Sequence, residues 1–182
     1  MKRIKILLVG LVGIFLLFTT IGLIMPSSVK ISRGVIIAAP AEKTVPLLTQ
    51  LNQWPQWVSW MQSDKGMLIT VAIDAQSVFL EWRQADVGEK GVIRIKEIKN
   101  EAVRHLLSFP GMNTAEGTLQ VRKGSDGSTE VIWLLEYPLR WYPWERFEGI
   151  FMDAMLGALL EQSLNRLKSV AENKVPALAL YP

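Results

Sequence analysis

The longest uninterrupted apolar run in the chain lies near its start. Residues Ile6 to Met25, ILLVGLVGIFLLFTTIGLIM, are 20 consecutive positions without a charge. As a helix rising about 1.5 Å per residue they extend roughly 30 Å, the thickness of a bilayer's hydrocarbon layer. A charge at mid-bilayer costs about 2.5–3.5 kcal/mol, so the run predicts a transmembrane anchor. Pro26 closes it. The alternatives are a buried core helix and, ahead of it, a cleaved signal peptide, whose apolar stretch is usually about 7–15 residues and ends on small residues at the cut. Thr20-Ile21-Gly22 is the one passable site, and it lies inside the run. Lys2, Arg3 and Lys5 before the run outweigh Lys30 and Arg33 after it. The positive-inside rule then puts the N-terminus in the cytoplasm and the remainder outside, in the periplasm of a two-membrane cell.

Beyond the run the pattern changes twice. Val29–Ala38 is rich in β-branched residues and reads as a strand. AEKTVPLLTQL at 41–51 has helical spacing behind Pro40, although Pro46 should kink or shorten it. Trp54-Pro55-Gln56-Trp57-Val58-Ser59-Trp60 fits a short second helix or helical turns. From Met67 the apolar positions alternate: MLITVAID, SVFLEWRQ, GVIRIKEIK, AVRHLLSF, AEGTLQVRK and STEVIWLLEY are six strand-like runs. Asp86-Val87-Gly88, Asn100-Glu101 and Gly124-Ser125-Asp126-Gly127 have turn chemistry between them, which predicts an antiparallel meander. A long helix follows Pro143, with Glu145 and Glu148 early and Arg166 and Lys168 late, complementing its dipole. Glu145, Gly149, Asp153, Gly157, Glu161, Asn165 and Lys168 read as its narrow polar stripe. The broad apolar remainder should be gripped by a concave sheet.

Composition changes this picture in three ways. The 49% hydrophobic content and mean hydropathy of +0.22 reflect the N-terminal run more than the rest of the chain. Setting aside Lys2, Arg3 and Lys5 leaves 17 of 20 basic residues, matched by 17 acidic ones. The net +3 is therefore no basic groove, and no nucleic-acid partner is expected. The absence of cysteine excludes disulfides, thiolate metal sites and a cysteine nucleophile.

The order of elements is strand, helix, helix, six strands, long helix. With SRGVIIAAPAEKTVPLL at 32–48, WPQWVSWM at 54–61, GSTEVIWLLE at 127–136 and FMDAMLGALLEQSLNRLK at 151–168, the chain resembles the SRPBCC superfamily, START-like or polyketide cyclase/dehydrase-like, in a membrane-anchored form. The resemblance implies an α+β helix-grip fold of START/Bet v 1-like type. A seven-stranded antiparallel sheet would surround a long C-terminal helix, preceded by the N-terminal transmembrane helix. The chain then divides into a cytoplasmic basic N-terminus (1–5), an anchor (6–25), a helix-grip domain (26–174) and an irregular tail (175–182). It departs from the family pattern at Pro46 and again at 74–91, where DAQSVFLEWRQADVGEKG stands in place of a glycine-rich hairpin.

Candidate chemistry is sparse. His105, the only histidine, shares phase with Val103, Leu107 and Phe109 and is expected to point inward, as a core residue or as a polar point in a pocket. One imidazole and no thiol make no zinc site, and no cofactor is expected. Glu81, Glu97 and Glu136 fall out of phase with their apolar neighbours and read as solvated, while Glu116 and Glu130 stay open. No nucleophile elbow, phosphate loop or dinucleotide fingerprint is present. Seven tryptophans are the conspicuous resource. They either fill the core or wall an apolar cavity, and Trp141 and Trp144 are suited to a membrane surface. The candidate ligand-binding set is Trp57, Trp60, Trp82, His105, Trp133, Phe151 and Met155. The leading function is a membrane-anchored, non-catalytic binding module for a hydrophobic small molecule or lipid, between sheet and C-terminal helix. A cyclase/dehydratase-like enzyme and an envelope interaction protein, its protein partner unspecified, are the alternatives.

Overall fold

The computed structural model describes residues 2–62, 66–74, 77–83 and 90–174. The tail 175–182 and the turn foreseen at Asp86-Val87-Gly88 lie outside the described residues. The chain opens with α1 (Lys2–Ile24), which among the described residues is the one helix long and apolar enough to cross a membrane. Gly22 is its only buried residue.

Seven strands follow the expected runs: β1 (Ser28–Ile37), β2 (Leu68–Ile73), β3 (Val78–Arg83), β4 (Lys90–Lys99), β5 (Ala102–Ser108), β6 (Ala115–Lys123) and β7 (Thr129–Pro138). They form one antiparallel sheet in the order β1-β7-β6-β5-β4-β3-β2, so β1 and β2 are its edges. Between β4 and β5, Asn100 and Glu101 take left-handed φ values of 49° and 60°. That geometry matches a tight hairpin to the sheet's own twist.

Alternation sorts the residues onto two faces. The inner face buries Ile31, Leu80, Trp82, Ile93, Leu107, Leu119, Val131, Trp133 and Leu135. The outer face is laced with ion pairs: Lys90–Glu81 at 2.6 Å, Lys96–Glu116 at 3.0 Å, Arg104–Glu97 and Arg122–Glu130 at 3.6 Å. Glu136 accepts from Ser28 Oγ at 2.7 Å. Glu116 and Glu130 thus join the solvated carboxylates. Exposed pairs of this kind hold little stability and chiefly keep the face wet.

The inner face is covered by α2 (Ala41–Thr49), by two 3-10 turns (Leu51–Gln56 and Ser59–Gln62) and by α3 (Pro143–Ala171). The helical run at 41–51 is shortened as Pro46 suggested: α2 stops at Thr49, and the Gln50 amide donates to the Pro46 carbonyl at 3.1 Å. Of the two forms expected at 54–60, a short helix or helical turns, the chain takes the second, as the pair of 3-10 turns.

α3 lies mainly over β1 and buries Leu156, Leu160, Leu164 and Leu167. Two features differ from the reading of its stripes. Gly149 and Gly157 are buried contact points, not solvent positions. A Cβ at Gly149 would collide with Leu139, and one at Gly157 with the Arg33 guanidinium. That guanidinium lies flat across Gly157 and pairs with Asp153 at 3.1 Å. Conversely, Phe151 and Met155 are 71% and 47% exposed. The helix is seated on the sheet along one face, not gripped all round.

Candidate functional site

Two regions of the inner face are candidates, and they are built very differently. At the centre stands an aromatic cluster. Trp54 and Trp57 are fully buried, with ring centroids 5.0 Å apart. Their indole N–H groups donate to the Leu48 and Leu47 carbonyls, each at 2.9 Å. These are carbonyls at the end of α2 that have no partner within the helix, so the two rings also cap α2. Trp57 meets Trp133 at 5.5 Å, and Trp60 meets Trp133 and Trp82 at 6.2 Å and Phe109 at 5.2 Å. Edge-to-face and tilted contacts of this kind are favoured over sandwich stacking.

His105 is part of the same cluster. It is 1% exposed, lies 5.2 Å from the Trp54 ring, and accepts a hydrogen bond from Trp133 Nε1 at Nε2, 3.2 Å away. With Nε2 accepting, the ring's proton sits on Nδ1, which is buried with no hydrogen-bond partner among the described residues. Burial pushes the His105 pKa down to about 4, against a weaker upward pull from the Val103 main chain. The imidazole is therefore neutral at physiological pH. Space for it comes from the facing strand: Gly117 is its register partner, and a Cβ there would strike the imidazole. Gly91 does the same for Trp82.

The second region lies toward the other edge of the sheet. An open groove of about 630 Å³ runs between the end of α2 with the 3-10 turn after it and strands β2–β4. Leu51, Val71, Val78, Ile95 and Ile98 supply its apolar walls, while Gln50, Asn52, Lys96 and Glu97 are polar members of the lining. Val71, Val78 and Ile98 are 41%, 37% and 51% exposed. Ile98 faces this side because β4 carries a register irregularity between Ile95 and Glu97. The extra residue resets the alternation.

Of the residues anticipated from sequence, Trp57, Trp60, Trp82, His105 and Trp133 come together in the central cluster. Phe151 and Met155 do not; they face outward on α3. None of the seven lines the groove. The groove residues had a readable signal in the widths of the elements. Seven strands at about 4.8 Å spacing make a sheet far wider than one helix of about 10–12 Å can cover. The inward-phase residues of the strands farthest from α3 had to be left for something else.

A model of the family described as polyketide cyclase / dehydrase and lipid transport matches residues 28–172. The chain belongs to that family. Its fold recurs in solved structures of low sequence identity. The Zhui aromatase/cyclase from a Streptomyces species superposes with a TM-score of 0.62 at 13% identity, covering 82% of this chain and 97% of the other. A protein of unknown function from Staphylococcus aureus gives 0.62 at 13% identity, covering 81% and 95%. A protein from Chromobacterium violaceum gives 0.54 at 19% identity, covering 81% and 99%. No curated protein matches the sequence. This polyketide cyclase-like member thus has the family's helix-grip-like sheet and long C-terminal helix, with an apolar helix added in front.

Proposed function

We propose that this chain is a membrane-tethered binding protein for an apolar or amphipathic small molecule of the lipid class. The ligand would lie in the groove under α2, with α1 as the tether, the N-terminus in the cytoplasm and the folded domain outside. The ligand space expected beneath α3 is thereby moved to the far side of the aromatic cluster, where the inner face is open.

The observation that carries this reading is the groove itself. Its volume falls within the roughly 300–1,000 Å³ range of small-molecule pockets. Apolar walls suit an acyl, isoprenoid or polycyclic body, and Gln50 and Asn52 suit a polar end. The family description, which couples cyclase/dehydrase with lipid transport, points the same way. Binding is favoured over catalysis because His105 is neutral, sealed and committed to Trp133, with no place in the groove.

The test uses the full chain in lipid nanodiscs with a photoactivatable fatty acid. Cross-links mapped by mass spectrometry should fall on peptides containing residues 49–52, 71–78 and 95–98. Ile98→Asp should abolish those cross-links. Labelling confined to α1 and α3, unchanged by Ile98→Asp, sinks the proposal.

A further inference from the structure

α3 changes character part-way along the face that points away from the sheet. That face carries Trp144, Phe147, Phe151, Ala154, Met155 and Ala158, and then Glu161, Gln162 and Asn165. The second set is what a water-facing helix normally shows. The first is not. Trp144, Phe151 and Met155 are 57%, 71% and 47% exposed, and Trp141, just ahead of the helix, is 62% exposed. Glu148, also exposed, borders the apolar stretch. Large apolar side chains exposed side by side mark an interaction surface.

What lies beside the patch says what covers it. The rings of Phe18 in α1 and Phe147 in α3 meet edge to face, centroids 5.7 Å apart. Arg146 Nη1 donates to the Met25 carbonyl at 3.2 Å. Phe18 lies about 9 Å along the helix axis from the end of α1 at Ile24, at about 1.5 Å per residue. The start of α3 therefore runs alongside the last turns of the apolar helix. There is no slack in the chain to part them: β1 begins at Ser28, and the Leu139 amide donates to the Ser27 carbonyl at 2.9 Å. Next to this junction Tyr142 stacks on Trp144, centroids 5.1 Å apart, and Trp141 tilts against Tyr142 at 4.8 Å. Amphipathic aromatic rings are favoured at the level of lipid headgroups.

We infer that the first half of α3 is pressed into the leaflet from which the domain emerges, as a second contact with the bilayer. Trp141 and Trp144 sit among the headgroups, and Phe151 and Met155 reach the acyl boundary. The switch at Glu161 marks where the helix rises into water. The inference rests on α1 being the tether proposed above, and it is independent of what the groove binds.

Because the chain has no cysteine, single-cysteine variants report one position each. Phe151→Cys, Met155→Cys and Gln162→Cys in the full chain are labelled with an environment-sensitive dye. They are then reconstituted into vesicles of phosphatidylcholine and phosphatidylglycerol. Dyes at 151 and 155 should be quenched several-fold more by lipid-borne nitroxide than by aqueous iodide, and the dye at 162 the reverse. Flotation of the same vesicles separates two failures. Protein that does not float overturns the tether and this inference together. Protein that floats with all three dyes equally open to iodide overturns the α3 contact alone. A dye at 151 shielded from both quenchers, in a chain that cross-links as a dimer, assigns the patch to a second copy and also overturns it.

Discussion

The centre of the inner sheet face and its β2–β4 end are made of similar strands, yet one is filled and the other open. At the centre, rings from the 3-10 turns interlock with Trp82, His105 and Trp133 from the strands, and glycines at 91 and 117 clear space for them. At the far end Val71, Val78 and Ile98 alternate inward just as well, but among the described residues nothing large descends onto them. The difference teaches that an inward aromatic inventory does not locate a pocket. Large rings stabilise by excluding space, and the usable space lies where they stop. Perturbing each region should therefore give opposite signatures: stability lost at the centre, binding lost at the groove.

The largest effect is expected from Trp133→Ala. Its ring is fully buried and touches Trp54, Trp57, Trp60 and His105. Removing a buried Trp costs about 3–5 kcal/mol, readable as a lower denaturant midpoint with an unchanged slope. A loss under about 1 kcal/mol would mean the centre is loosely filled and the contrast with the groove is false.

Next comes acid. The folded pKa of His105, lowered to about 4 by burial, lies below the unfolded value of about 6.5. The unfolded chain thus takes up a proton first as pH falls. The full stability is present above about pH 6.5, is lost between about 6.5 and 4, and then levels off. The loss from this one group approaches about 3 kcal/mol. Comparing stability against pH for wild type and His105→Gln isolates it, because the variant should lack that segment of the curve. Parallel curves would mean that His105 is hydrated.

Gly117→Ala should cost about 1–3 kcal/mol by forcing the imidazole off its place, and the His105 nitrogen signals should shift with it in NMR spectra. Smallest in stability is Ile98→Asp, at a half-exposed position. It should change the unfolding free energy by no more than about 0.5 kcal/mol while removing the groove cross-links. Should it unfold the chain, the groove is part of the core and the distinction between the regions fails.

Much of this fold was legible in the sequence because sheet residues obey a strict period of two. The six runs from Met67 onward became six strands, and His105 faces inward as its phase with Val103 and Leu107 required. The length of α3 was equally plain. Its orientation was not. When apolar residues surround a helix, periodicity cannot say which flank meets the sheet, and Gly149 and Gly157 look like polar-stripe members until a neighbour is found pressed against them. The exact place of the groove was hidden for a related reason. It depends on how far a helix reaches across neighbouring strands, and on a bulge near Lys96 that turns Ile98 inward; neither is a local property. The bond between Trp133 and His105 joins residues 28 positions apart, and no spacing rule announces it.

The pairing of the first strand with the last has a consequence in time. β1 is hydrogen-bonded only to β7, from Ser28 opposite Pro138 to Ile37 opposite Thr129. A ribosome adding about 5–20 residues per second needs roughly 5–20 s to make the stretch between them. Throughout that interval the strand directly after α1 is emerging without a mate. Contacts this distant along the chain also form late and slowly. The segment nearest the apolar helix thus waits longest between being made and finding its place, and the newborn chain must be kept from pairing that strand with a neighbour's.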